Sequence, residues 1–138
     1  MREKLKVPVE EFTSPSPVSV TEDESLHVIL ELMEKHRCRH APVMRENQLV
    51  GIISDRDIYK SSFKKPENTH LKAKDLMTKD LYKVNRKENI DKVVFSMSDR
   101  KIGSALVEDQ NGNLFGIFTS TDALNALIEI IRGDIDSQ

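Results

Sequence analysis

The sequence contains one cysteine and no tryptophan. Aromatic residues make up only 5% of the chain. The lone Cys38 excludes an internal disulfide and indicates a reducing compartment, so we expect a cytoplasmic protein. Because aromatic side chains are scarce, a core must be built mainly from Ile, Val, Leu and Met. No stretch approaches the roughly 18 apolar residues that a membrane span needs. The first six residues also lack the apolar run of a signal peptide, so no membrane partner is expected.

Charge and motif content exclude several classes of function. The formal net charge is only −2, which predicts no bulk attraction to nucleic acid. The sequence has no Walker phosphate loop, no Rossmann glycine fingerprint and no paired acid–base carboxylates. We therefore expect a protein that is not an enzyme, and a phosphohydrolase is the one enzymatic alternative.

An internal repeat organises the chain. The first half aligns with the second at an offset of 64, and at 65 after one inserted residue near positions 110–113. Identities are few, but the apolar positions match in kind and order. The aligned pairs include Val20 and Val84, Glu24 and Glu88, Leu26 and Ile90, Met33 and Met97, Val43 and Val107, Gly51 and Gly116, and Asp57 and Asp122.

Each copy predicts the order β-α-β-β-α, so the fold class is α+β, a mixed α/β architecture. We place the two copies at residues 7–63 and 71–132, joined by a linker at 64–70. A unit of roughly 60 residues is marginally stable alone. The copies are therefore expected to share a core about a pseudo-twofold axis, with clefts between them.

Apolar spacing predicts the helical faces. Strands are expected at 17–20 and 81–84, and second helices near Asp55 and Ser120. The apolar side chains expected to share a face are Leu26, Ile29, Leu30 and Met33, then Ile90, Val93, Val94 and Met97, and finally Leu124, Leu127, Ile128 and Ile131. The last set is either core or an association surface.

The sharpest local signal is a buried strand that ends in a hydroxyl residue, followed three positions later by an aspartate. This motif occurs as Ser54 with Asp57 and as Thr119 with Asp122. One interpretation is structural, since Ser or Thr at a helix N-cap binds an orphan backbone N–H and Asp complements the helix dipole. The other is ligand binding, because Gly51 and Gly116 permit close backbone approach. The local sequence leaves both open.

Three segments carry a resemblance to a known family: residues 75–78 (DLMT), 39–43 (RHAPV) and 49–57 (LVGIISDRD). With the repeat, they make the chain resemble a tandem pair of CBS domains, a Bateman module, from about residue 7 to 131. Within the family it is most similar to stand-alone pairs of the acetoin-utilisation type, without the additional domain that those can carry.

The resemblance implies an adenine-nucleotide sensor that requires no cofactor. The expected ligands are AMP, ADP or ATP, with NAD and S-adenosylmethionine as further candidates. Asp57 and Asp122 would accept hydrogen bonds from the ribose hydroxyls, since a carboxylate is an acceptor only. Ser54 and Thr119 would contact ribose or phosphate. The implied phosphate partners are Arg39, His40, Arg56 and Lys101.

In the family, each cleft is completed by the partner copy. The residues expected to face the Ser54 motif are Thr78, Tyr82, Ile102, Gly103 and Ser104. Those expected to face the Thr119 motif are Ser14, Val18, Cys38, Arg39 and His40. The sequences of the two clefts differ, because copy one has Thr13-Ser14 where copy two has Met77-Thr78, and Pro42 where copy two has Leu106. Equal occupancy is therefore not expected.

The resemblance also implies a homodimer. We expect either that an independent partner protein carries the signal or that the module acts as a buffer of its ligand. The alternative to a sensor is a pair that binds no nucleotide and acts as a dimerisation or docking scaffold. A metal site formed by His36, Cys38 and His40 is not expected, because only three ligands are offered at the junction of a helix and a strand. Cys38 aligns with Ile102, so we expect a packed residue and not a nucleophile.

Overall fold

The computed structural model describes residues 6–15, 18–64 and 70–133, with the backbone alone at 62–64. Pro17 and most of the expected linker, 65–69, lie outside the described residues. A short 3-10 helix, Val9–Phe12, precedes the first strand. The strands are β1 (Ser14–Pro15), β2 (Val20–Thr21), β3 (His40–Arg45), β4 (Gln48–Ser54), β5 (Lys83–Asn85), β6 (Ser104–Glu108) and β7 (Leu114–Thr119). The helices are α1 (Leu26–His36), α2 (Asp55–Lys64), α3 (Ala73–Leu76), α4 (Ile90–Arg100) and α5 (Ser120–Arg132).

The described residues form two compact units, each built around one copy of the repeat. The first unit contains residues 18–64 and 70–81, and the second contains residues 6–15 and 82–133. This mixed α+β architecture confirms the predicted fold class and the β-α-β-β-α order of each copy. No helix among the described residues is long and apolar enough to cross a membrane.

The first unit contains a three-stranded sheet in the order β2-β3-β4. Strand β3 is parallel to β2 and antiparallel to β4, with an irregularity between Val43 and Met44. Helix α1 begins after Ser25, whose hydroxyl accepts the N–H of Val28 at 3.3 Å and so caps the first turn. The core combines this helix with the sheet; its fully buried members are Ile29, Ala41, Val43, Ile53, Ile58 and Ala73.

The second unit contains a four-stranded sheet in the order β1-β7-β6-β5. Strands β6 and β7 are antiparallel, and β5 is parallel to β6. The core follows the repeat, since Phe118 occupies the position of Ile53 and Val93 that of Ile29. Its fully buried members are Val9, Val93, Ala105, Val107 and Phe118.

The first segment of each repeat packs in the unit of the other repeat. At the start of the first repeat, Val9 donates its N–H to the carbonyl of Glu88 at 2.8 Å, in the second unit. At the start of the second repeat, Ala73 donates its N–H to the carbonyl of Glu24 at 2.9 Å, in the first unit. Both bonds join residues at equivalent positions of the repeat, related by the offset of 64. The two segments are therefore exchanged in the same way. We call residues 8–15 and 72–79 the lead-in segments.

The strands β2 and β5, which lie at sheet edges and pair in parallel, start later than the alternation of apolar residues predicts. In the second unit, the N–H of Leu106 donates to the carbonyl of Tyr82 at 2.8 Å, just before β5. The first unit has Pro42 at the equivalent position, and proline has no N–H to donate. Accordingly, β2 spans two residues where β5 spans three.

The predicted helical faces are confirmed for the positions that reach the cores. Leu26, Ile29 and Met33 are buried in one unit, and Ile90, Val93 and Met97 in the other. Val94 is 37% exposed, because it lies at the margin of the buried face. Leu124, Leu127, Ile128 and Ile131 on α5 are exposed, so of the two interpretations of this face, core is wrong.

Candidate functional site

The first motif end is the junction of β4 and α2 in the first unit, together with the start of β3. Ser54 is the last residue of the strand, and its hydroxyl accepts the N–H of Asp57 at 3.2 Å. Oδ2 of Asp57 in turn accepts the N–H of Ser54 at 3.0 Å and its hydroxyl at 2.8 Å. These reciprocal bonds form a capping box that fixes both side chains.

The second motif end, at the junction of β7 and α5 with the start of β6, has the same geometry. The hydroxyl of Thr119 accepts the N–H of Asp122 at 3.3 Å. Oδ2 of Asp122 accepts the N–H of Thr119 at 2.8 Å and its hydroxyl at 3.0 Å. The two motifs are therefore structurally equivalent, and the capping interpretation is confirmed for both.

Capping leaves part of each aspartate available. Both bonds to Asp57, and both to Asp122, are accepted by Oδ2, and no hydrogen bond from a described residue reaches the Oδ1 atoms. Both side chains are half-buried, so they are held in place and still accessible. Because a carboxylate has about four acceptor positions, it can cap the helix and also accept hydrogen bonds from a ligand. The two interpretations of the motif are compatible.

The paired glycines have a different role from the one expected. A Cβ atom on Gly116 would overlap the backbone carbonyl of Ser14, and one on Gly51 would lie 2.5 Å from Sδ of Met77. The close approach at each glycine is therefore made by a lead-in segment of the chain itself. These glycines accommodate the exchange of segments and give no separate indication of a ligand.

The lead-in segments bring one predicted pocket residue beside each motif. Thr78 and Ile52 exchange backbone hydrogen bonds of 2.8 and 3.0 Å, two residues before Ser54. Ser14 is paired with Ile117 in β1 and β7, two residues before Thr119. Both Thr78 and Ser14 are exposed. The structure thus joins Thr78 to the first motif and Ser14 to the second, each within one unit.

The start of the central strand lies beside each motif. His40 is opposite Ser54 in the antiparallel pair, and Ser104 is opposite Thr119. One residue earlier, the carbonyl of Arg39 accepts the N–H of Asp55 at 2.9 Å, and that of Gly103 accepts the N–H of Ser120 at 3.1 Å. Each motif end therefore includes the two residues at the start of its own central strand.

Burial affects two titratable groups near the first motif. It lowers the pKa of His40 below its ordinary value, against the opposing effect of Asp55 and Asp57, and Arg39 lowers it further. Burial raises the pKa of the Cys38 thiol, which keeps it in the unreactive thiol form. Among the described residues, no group of three or more His, Cys, Asp or Glu side chains is placed to hold a metal ion.

The remaining predicted site residues lie in one unit or the other. Val18 is half-buried ahead of β2 in the first unit, and Arg56 is exposed in the first turn of α2. In the second unit, Arg100 stacks over the half-buried Tyr82 ring at 4.8 Å. Lys101 is exposed and ends α4 in a left-handed conformation, with Ile102 half-buried after it. The contributions that each motif receives from the other copy stay predictions.

Two features of the site were not identified from the sequence. One is the exchange of the lead-in segments, and the other is the backbone bond that ties the start of each central strand to its motif. A signal for the first was present, since Thr13-Ser14 and Met77-Thr78 precede the two strands at the same offset of 64. Offsets alone do not say which copy such a short segment joins.

Comparison with known proteins identifies the repeat. The family model of the CBS domain matches this chain twice, at residues 9–64 and 73–129, which confirms the resemblance drawn from the sequence. The chain is 28% identical over 120 residues to a homoserine O-acetyltransferase from Methanococcus vannielii, which covers 86% of this chain and 24% of that protein. It is 31% identical to an inosine-5′-monophosphate dehydrogenase from Korarchaeum cryptofilum, covering 82% and 23%. The chain thus spans about a quarter of the length of these curated relatives.

Solved structures share the fold over nearly their full length. One is the CBS domain pair of protein MJ0100 in complex with 5′-methylthioadenosine and S-adenosyl-L-methionine, at a TM-score of 0.82 and 25% identity, covering 91% of this chain and 98% of that one. CBSX2 in complex with AMP has a TM-score of 0.77 and 26% identity, covering 91% and 98%. The acetoin utilization protein AcuB from Vibrio cholerae, at a TM-score of 0.84 and 24% identity, covers 95% and 98% and shows the fold alone.

Proposed function

Since this chain belongs to the CBS domain family, we propose that it is a regulatory module that binds an adenine-containing nucleotide at its two motif ends. The candidate ligands are AMP, ADP, ATP, NAD and S-adenosylmethionine. The module has no catalytic activity of its own in this proposal and needs no cofactor. It acts in the cytoplasm through an effector protein.

The observation that carries the proposal is the pair of matched capping boxes with one uncommitted carboxylate oxygen each. The box fixes the Asp57 carboxylate through its bonds to Ser54, and the Asp122 carboxylate is fixed by Thr119 in the same way. A fixed acceptor loses little conformational entropy when it binds, which favours affinity. The two vicinal hydroxyls of a ribose are matched donors for such an oxygen.

The ligands of two relatives support the choice of an adenosine compound. The structure of MJ0100 contains 5′-methylthioadenosine and S-adenosyl-L-methionine, and that of CBSX2 contains AMP. These molecules differ at the 5′ position and have the adenosine in common. We therefore infer that the adenosine is the part of the ligand that this chain recognises.

Regulation follows from differential affinity. If two conformations or association states of the chain bind the nucleotide unequally, the ligand shifts their populations by the ratio of the two affinities. The homodimer implied by the family is one such state. The signal would pass to a partner protein through the surface that changes.

A second candidate function is a scaffold that docks a partner without nucleotide. It is favoured by the exposed apolar side chains of α5, among which Leu124 is 59% exposed and Ile131 73% exposed. Exposed apolar patches on soluble proteins commonly mark contact surfaces. This function would use the capping boxes for stability alone.

The deciding experiment is calorimetric titration of the full chain, stripped of ligand, with each of the five compounds. We expect saturable binding of at least one, and loss of one class of sites in Asp57→Ala and of the other in Asp122→Ala. Asp75→Ala is the matched control, because its carboxylate also accepts a backbone N–H, from Lys72 at 2.8 Å, but lies outside both motif ends. Binding that is unchanged in both motif variants would contradict the ribose assignment. No binding at all from the folded chain would favour the scaffold.

A further inference from the structure

The two motif ends have the same capping box but different surrounding side chains. Four positions have an ionisable side chain at one end only: Arg39 against Gly103, His40 against Ser104, Asp55 against Ser120, and Arg56 against Thr121. Every one of these exchanges replaces an ionisable side chain of the first end with an uncharged residue in the second. The hydrogen bonds of the capping box are thus the same at both ends, whereas the charged side chains around it are not.

At the first motif end, two guanidinium groups are available. Arg39 and Arg56 are both exposed, and neither forms an ion pair with a described residue. Other arginines of the chain are engaged: Arg45 pairs with Glu22 at 2.8 Å and Arg86 with Glu10 at 2.7 Å. The carbonyl of Arg39 is bonded to the N–H of Asp55. This bond places Arg39 at the end of the sheet where α2 begins.

At the second motif end, the corresponding groups are hydroxyls and a glycine. The hydroxyl of Ser120 donates to the carbonyl of Gly103 at 3.4 Å, and Thr121 is exposed beside it. Asp122 is then the single charged residue among the positions compared. Lys101 lies two residues before Gly103, but Arg37 occupies the matching place in the first unit. This cation therefore does not distinguish the two ends.

We propose that the first motif end selects the 5′-phosphorylated form of its adenosine ligand, whereas the second end does not discriminate by the 5′-phosphate. This inference rests on the proposed function and specifies the ligand class of each end. It assigns Arg39 to the motif end of its own unit, where its carbonyl is bonded to Asp55, and not to the Thr119 motif that the resemblance implied. Arginine binds phosphate through two parallel charge-assisted hydrogen bonds, which are stronger than neutral ones. Both ends also begin a helix, so the helix dipole contributes equally and cannot produce the difference.

The carboxylates of the first end reduce this preference without removing it. Asp55 and Asp57 balance the two arginines in formal charge, whereas Asp122 leaves the second end with one negative charge. At the first end, a phosphate dianion therefore meets a cluster with no net charge that includes two guanidinium groups. At the second end it meets a single carboxylate. Repulsion at the second end would offset part of what the helix N-terminus contributes.

The repeat supplies its own test, because each end can be given the side chains of the other. AMP and adenosine differ only in the phosphate, and their affinities are measured by calorimetry on chains with one motif end disabled. With Asp122→Ala, the remaining first end is expected to bind AMP at least about tenfold tighter than adenosine. With Asp57→Ala, the remaining second end is expected to bind the two within about threefold.

The exchange then assigns the difference to the arginines. Arg39→Gly with Arg56→Thr, in the Asp122→Ala chain, should bring the AMP preference to within about threefold. Gly103→Arg with Thr121→Arg, in the Asp57→Ala chain, should raise it to about tenfold. The backbone accepts this change, because Gly103 is not among the glycines with positive φ. Thermal melts of all variants verify the fold.

The outcomes separate this inference from the proposed function. Equal preferences at the two ends, or preferences that do not move on exchange, would overturn the inference while adenosine binding stands. Failure of the parent chain to bind either compound would overturn the proposed function and the inference with it. A raised salt concentration should weaken AMP binding at the first end more than at the second, since exposed charges are screened.

Discussion

The two units have the same hydrogen bonds at their motifs but different side chains around them. The capping bonds at Ser54 and Thr119 agree within a few tenths of an ångström. The lead-in segments bond at equivalent positions, as Val9 to Glu88 and Ala73 to Glu24 show. The side chains beside the motifs, in contrast, are ionisable in the first unit and uncharged in the second. Positions that form the capping bonds are therefore equivalent, whereas their neighbours at the motif differ in charge.

A second difference lies in how each unit receives its lead-in segment. In the second unit, the segment pairs with β7 as the strand β1, and Gly116 faces its backbone. In the first unit the contact is an isolated bridge at Thr78, and Gly51 faces the side chain of Met77. A backbone cannot move aside as a methionine side chain can. The second unit is therefore the more tightly constrained of the two.

The largest expected effect tests this constraint. Gly116→Ala should destabilise the chain by about 3 kcal/mol, because the added Cβ overlaps the carbonyl of Ser14. Gly51→Ala should cost about 1 kcal/mol or less, since Met77 can change its rotamer. Urea denaturation measures both losses of unfolding free energy, provided that the dependence of this free energy on urea concentration is the same in each variant. Equal losses would show that the two lead-in segments are held alike and that the comparison fails.

The next effect concerns the central strands. Leu106→Pro removes the N–H that bonds the carbonyl of Tyr82 and should cost about 2 kcal/mol. The reciprocal Pro42→Val removes no bond and nearly conserves the volume of this fully buried side chain, so its effect should stay below about 1 kcal/mol. The same denaturation experiment compares them. A loss for Pro42→Val as large as that for Leu106→Pro would mean that the shorter β2 has another cause.

A smaller and equal effect is expected at the two caps. Ser54→Ala and Thr119→Ala each remove a hydroxyl that accepts a helix N–H, and each should cost about 1 kcal/mol. Thermal unfolding of the two variants should give matching shifts. A clear inequality would contradict the equivalence of the capping boxes, on which the proposed pair of ligand sites depends.

The smallest effect distinguishes the first motif end by its pH response. Burial holds the pKa of folded His40 below its ordinary value of 6.5. As the pH falls below that value, the unfolded chain takes up a proton before the folded chain does, so stability is lost in that range and is unaffected above it. His40→Gln should flatten this decline, measured by denaturation from neutral to mildly acidic pH. A decline that is unchanged in His40→Gln would contradict this account.

The sequence predicted where helices and strands lie better than it predicted which other elements they contact. The starts of α2 and α5 followed from the hydroxyl-x-x-Asp spacing, because the cap is a local interaction. The exchange of lead-in segments was not predicted, since a strand as short as Ser14–Pro15 has too little pattern to specify its partner. Periodicity likewise placed Leu124 and Ile131 on one face but did not settle whether another element covers it.

The site was predicted in composition more than in arrangement. Ser54 with Asp57 and Thr119 with Asp122 were identified as pairs, and the structure adds that each carboxylate bonds through one oxygen only. The sequence suggests that Gly51 and Gly116 leave room for a ligand, whereas in the structure a segment distant in sequence packs against each of them. Contacts of that kind depend on tertiary packing, which no local motif encodes.

The central claim is that the free oxygens of Asp57 and Asp122 accept the ribose hydroxyls of an adenine nucleotide. The most direct test leaves the protein unchanged and compares AMP with its 2′,3′-dideoxy analogue by calorimetry on the full chain. We predict that the analogue binds at least about tenfold more weakly, because two hydrogen bonds to a charged acceptor are lost. Equal affinity of the two compounds would contradict the claim and leave the capping boxes with a structural role alone.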